Sequence, residues 1–165
     1  MLARAALGRR AVDDAVRWGE EAARLQQRAG DVQSEGWARL CLAVAHALAG
    51  RAPRAHAELT VAIGYYDALA YHGAATFALE VAAFQAALAG APERAARLAG
   101  AAATAKRSFG AASFEPEASI VAAELAALRS VAHDDPALAQ AWTEGEGVPL
   151  DVALRYAAAE GGLGA

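Results

Sequence analysis

Apolar and polar positions in this chain do not alternate for more than a few residues. They recur in blocks rich in Ala, Leu, Arg and Glu, which favour helix. Ile occurs twice and Val is scattered, so the β-branched runs that build strands are missing. Glycine and proline cut the blocks to helical length. Gly30-Asp31 separates 10–29 from 32–49, and Gly50 with Pro53 opens 53–70. His72-Gly73 makes a third break, Gly90 with Pro92 a fourth, and Gly110 through Ser113 ends 92–109. Pro116 starts the next helix with Glu115 and Glu117 around its first turn, where negative charge suits the helix dipole. Asp135-Pro136 reads as N-cap and first residue of a short helix ending near Gly145. Pro149 opens a last helix that frays at Gly161-Gly162. The pattern predicts an all-α chain.

The blocks also repeat. Ala-Leu-Ala-Gly stands at 47–50 and again at 87–90, and the same 40-residue offset lays Arg54-Ala55 on Arg94-Ala95 and Ala62 on Ala102. A further 40 residues back, Ala15 and Ala22 fall in the same columns. Each unit is a helix, a tight glycine turn, a second helix and a looser link, which is the pattern of a helical-hairpin solenoid. The period exceeds the about 34 residues of a tetratricopeptide repeat. The expectation is one domain over 1–165, a tetratricopeptide-like, right-handed stack of antiparallel helical hairpins. Its units span about 10–29, 31–70 and 72–109, with a C-terminal helical cap over 115–160. The competing arrangement is an irregular antiparallel bundle.

Composition sharpens this. Of 165 residues, 51 are Ala, which leaves about a quarter of the chain as larger apolar side chains. Closely packed helices follow, rather than a uniformly deep core. A net charge of −4 and a pI near 5.5 leave no overall nucleic-acid footprint. The single Cys41 rules out a disulfide scaffold and fits a reducing compartment, so a cytoplasmic location is expected. No apolar signal segment follows the basic stretch Met1–Arg10. The weakly charged segment 73–92 is interrupted by Glu80 and Gln85, and reads as a buried helix rather than a membrane span.

Candidate chemistry is sparse. His46, His56, His72 and His133 show no His-x-x-x-His, Cys-x-x-Cys or Glu-x-x-His spacing, so neither a metal nor another cofactor is expected. Cys41, between Leu40 and Leu42, reads as a small core residue. Glu117 and Glu124 share a helix face, and with Glu115 could be imagined as an acid–base set. No further base, nucleophile or glycine-rich loop accompanies them, so a solvated face is the reading and no catalysis is expected. The repeat columns outline a binding surface instead. Trp37, Leu40 and Val44, then Phe77, Glu80 and Phe84, then Glu117, Ile120 and Glu124 occupy equivalent positions in successive first helices. Together they predict a groove with an aromatic floor and an acidic end, suited to a helix or extended peptide carrying basic residues. The alternative is that the aromatic residues pack between repeats. Trp142 and Tyr156 are assigned to the closing cap.

Two stretches resemble a known family. Ala91–Gly110, APERAARLAGAAATAKRSFG, resembles a hairpin near the end of bacterial LuxR-type regulators built around a signalling ATPase. Ala141-Trp142-Thr143-Glu144-Gly145, followed by Leu150-Asp151-Val152-Ala153-Leu154-Arg155-Tyr156-Ala157, resembles the closing motif of the same helical region. The likeness spans about residues 30–159. The chain has no Gly-x-x-x-x-Gly-Lys-Ser/Thr loop, and it stops at Gly161–Ala165 without a helix-turn-helix, so neither ATP hydrolysis nor direct nucleic-acid binding is expected of it. The resemblance implies a non-catalytic interaction or sensor module that binds a protein or peptide partner. The alternative is a small helical ligand-binding or enzymatic bundle with a pocket between hairpins. Met1–Gly8 is too short for a full first helix, so the N-terminal edge is expected to meet a neighbour or a second copy.

Overall fold

The computed structural model describes residues 2–9, 11–112 and 115–159. Among them lie nine helices and no strand: α1 (Leu2–Gly8), α2 (Val12–Ala29), α3 (Val32–Leu48), α4 (Ala52–Ala68), α5 (His72–Leu88), α6 (Pro92–Phe109), α7 (Glu117–Asp134), α8 (Pro136–Glu146) and α9 (Leu150–Ala158). The chain is all-α. The expected helix start at Arg10, the loop residue Ser113 and the fray at Gly161-Gly162 lie outside the described residues.

The five helices α2 to α6 begin at residues 12, 32, 52, 72 and 92, so the 40-residue sequence repeat is two turns of a 20-residue register. A left-handed residue recurs with it: Gly30 (φ 70°), Gly50 (φ 68°), Ala70 (φ 49°), Gly90 (φ 73°) and Gly110 (φ 73°). At the four inner turns a backbone bond closes the helix end. Asp31 N–H donates to the Gln26 carbonyl at 3.0 Å, and Arg51, Tyr71 and Ala91 donate to His46, Tyr66 and Ala86 at 2.9 Å each. The third break therefore sits at Ala70, two residues before the expected His72-Gly73, which instead open α5. Alanine fills the left-handed position there, so no glycine marks the turn in the sequence.

Side-chain caps act where expected at α8, where Asp135 Oδ1 accepts from the Ala137 and Leu138 amides at 2.9 and 3.3 Å. Asp31 caps α3 in the same way through Ser34 N–H at 3.0 Å.

Consecutive helices from α1 to α6 pack each on the next. α5 is the centre. It touches α3, α4, α6, α7 and α9, and twelve of its seventeen residues are buried. A helix apolar all round belongs inside a fold, which accounts for the weakly charged segment 73–92. No described helix is long and apolar enough to cross a membrane. Gln85 is buried within it, and its amide donates to the Ala55 carbonyl of α4 at 3.0 Å.

After α6 the 20-residue register stops. The link 110–116 is longer than the earlier turns, and Ala112 N–H ties it to the Gly73 carbonyl at 2.9 Å. α6 packs most extensively on α8, not on α7. α7 lies on α5 and reaches back to α1 and α3, while α9 sits against α4, α5 and α6.

Candidate functional site

The nine residues of the repeat columns are distributed between core and half-buried positions. Leu40, Val44, Phe77, Phe84 and Glu117 are buried. Trp37, Glu80, Ile120 and Glu124 are half-buried. They do not form one open surface, because α7 packs against α5 and takes Ile120 into the hydrophobic cluster with it. Glu80 pairs with Lys106 of α6 at 2.8 Å.

Four of the nine do come together. Trp37, Leu40, Phe77 and Glu117 line one cavity of about 300 Å³, bounded by α1, α2, α3, α5 and α7. Its aromatic wall is the Trp37–Phe77 pair, with ring centroids 6.2 Å apart, and Trp37 also packs on Tyr66 at 5.6 Å. Its polar wall is an ion pair. Arg4 Nε donates to Glu117 Oε2 at 3.1 Å, and the same guanidinium donates to the Glu115 carbonyl. Arg4 is the one charged residue of α1, so this pair joins the first helix to the seventh. Gln26, Ser34 and Cys41 complete the polar lining.

Burial, followed by the Glu117 charge and a hydrogen bond to Glu117, pushes the Cys41 thiol up to about 12. It therefore stays protonated at neutral pH, a weak donor rather than a nucleophile. The cavity can hold a compact apolar group against Trp37 and Phe77, with a polar atom meeting the Arg4–Glu117 pair. Arg4, Gln26, Ser34 and Cys41 are not legible as site residues in the sequence. The only signal is the lone charge in α1, and its partner lies more than a hundred residues away.

No family model matches this chain, and neither a curated protein nor a solved structure matches it.

A second cleft, of about 440 Å³, lies where the α8–α9 link meets α4, α5 and α6. Ala75, Ala105 and Leu154 form its buried floor, and Asp67, Asp151 and Ser108 stand exposed at its rim. His72 leans on the Phe109 ring at 4.8 Å there. Among the described residues no three His, Cys, Asp or Glu side chains are grouped to hold a metal ion.

Proposed function

We propose that this chain is a non-catalytic helical-repeat binding module. It admits a partner's compact apolar side chain into the cavity between α1, α3 and α7. The observation that carries this reading is the convergence of Trp37, Phe77 and the part-buried Arg4–Glu117 pair on one half-open cavity of about 300 Å³. Aromatic walls supply dispersion and desolvation, and the ion pair orients a polar atom. The test is a titration of capped amino-acid amides onto the ¹⁵N-labelled chain. Apolar amides are expected to shift the Trp37 indole and the Ser34 and Ala38 amides, and Ala38→Trp, which fills the cavity, is expected to abolish the shifts. Shifts that persist in the filled variant, or no shifts at all, would count against the site.

We further propose the tetratricopeptide-like reading of α2 to α6, and kinship with the helical region of LuxR-type ATPase regulators. In support of the first, the equivalent helices α3 and α5 touch across the hairpin between them. In support of the second, the two resembling stretches pack on each other. Arg97 Nη2 of α6 donates to Glu144 Oε2 of α8 at 2.6 Å. Arg94 donates to the Tyr156 carbonyl at 2.9 Å and lies over the Tyr156 ring at 4.5 Å. The check is the coding sequence before Met1. An open frame with a Walker-type phosphate loop supports the kinship, and a stop codon with a promoter speaks against it.

A further inference from the structure

α2 packs chiefly on α1 and α3, and one of its flanks is left open to solvent. Along that flank run Asp14, Trp18, Leu25 and Arg28, with Ala22, half-buried and also lining the cavity, at its edge, spaced so that they stay on one side over four turns. Trp18 is 36% exposed and Leu25 53%, large apolar side chains for a surface helix of a chain that is poor in them. The pattern is self-complementary. Trp18 and Leu25 lie symmetrically about the Glu21–Ala22 midpoint, and Asp14 and Arg28 lie symmetrically about Glu21, half a residue away.

We propose that a second copy of this chain packs antiparallel on α2 through this flank. Two-fold symmetry then sets Trp18 of each copy against Leu25 of the other, and Asp14 of each beside Arg28 of the other. Like charges meet at Glu21 with its symmetry mate and at Arg17 of each copy with Arg24 of the other, and both are relieved within each chain, where Arg24 pairs with Glu21 and Arg17 with Asp14 at 3.0 Å each. Arg17 lies over the Trp18 ring at 4.7 Å and holds an edge of the seam. An unrelated partner would not require acidic and basic ends matched about nearly the same point as the two apolar residues. A second copy does, and this is why the seam is assigned to self-association. A contact of two helices is small, so the dimer is weak and concentration-dependent.

Sedimentation equilibrium of the full chain over about 5–500 µM tests the proposal. A reversible monomer–dimer equilibrium is expected. Leu25→Glu, at an exposed position, is expected to keep the helical circular dichroism and weaken the dimer by about tenfold or more. Asp14→Arg and Arg28→Asp alone are each expected to weaken it, because like charges then meet twice. An equimolar mixture of those two variants restores opposite charge at both ends, so a mixed dimer about as tight as the wild type is expected. A chain monomeric throughout, a dimer indifferent to Leu25→Glu, or a mixture no tighter than its components would each overturn the antiparallel seam.

Discussion

Gly100 of α6 and Gly145 of α8 meet backbone to backbone. A methyl group on Gly100 would land on the Trp142 carbonyl, and one on Gly145 on the Arg97 carbonyl. Neither obstacle is a flexible side chain, so neither can swing away. Gly145→Ala is expected to destabilise the fold by about 3 kcal/mol in a urea melt. Gly64, on the exposed side of α4, has open space within 4 Å of where a methyl group would stand, and Gly64→Ala is expected to stabilise by about 0.5–1 kcal/mol. Equal effects from both would dismiss the close approach as the cause.

The left-handed turns predict a second opposition of sign. Gly50→Ala places a side chain at φ 68° and is expected to cost about 1 kcal/mol. Ala70 already bears that cost at φ 49°, so Ala70→Gly is expected to raise the unfolding free energy by about 0.5 kcal/mol after the added freedom of the unfolded chain. A loss of stability in Ala70→Gly would contradict this.

His46 is buried in α3 with Nδ1 lacking a hydrogen-bond partner, and burial lowers its pKa. The unfolded chain therefore takes up this proton more readily than the folded one. The His46 contribution is fully present above about pH 6.5 and is lost as pH falls below it. Unfolding free energies at pH 7.5 and pH 5 are expected to differ less in His46→Leu than in the wild type. An unchanged difference would assign the acid sensitivity elsewhere.

The Cys41 thiol carries the opposite pH signature. With its pKa raised by burial to about 12, it contributes stability below the ordinary thiol value, which erodes as pH climbs towards 12. Alkylation of the native chain at pH 8 is expected to run at least about a hundredfold slower than in urea, since the thiolate is suppressed and the Cys41 side chain is buried in the cavity wall. Comparable rates in the two states would mean that the cavity between α1 and α7 opens freely.

The helices are largely readable because breakers act on the backbone next to them. Gly30, Gly50, Gly90 and Gly110 adopt the left-handed conformations that end helices, and Asp135 caps α8 through its own neighbours' amides. Ala70 leaves no such mark, because it does a glycine's work without being one. Register groups the column residues, yet register does not tell which face a later helix will cover. Trp37 and Phe77 meet Glu117 only because α7 lies on α5 and pairs with Arg4.

The amino-acid sequence by itself determined that this chain is helical, and where most of its helices begin and end, since propensity, caps and turns are local. Tertiary structure alone decided where α7 to α9 go and which polar groups converge. With 51 alanines, many helix faces are alike in size. The choice among them falls to a few specific long-range contacts, Gly100 against Gly145, Arg4 with Glu117 and Ala112 with Gly73, which no local pattern encodes.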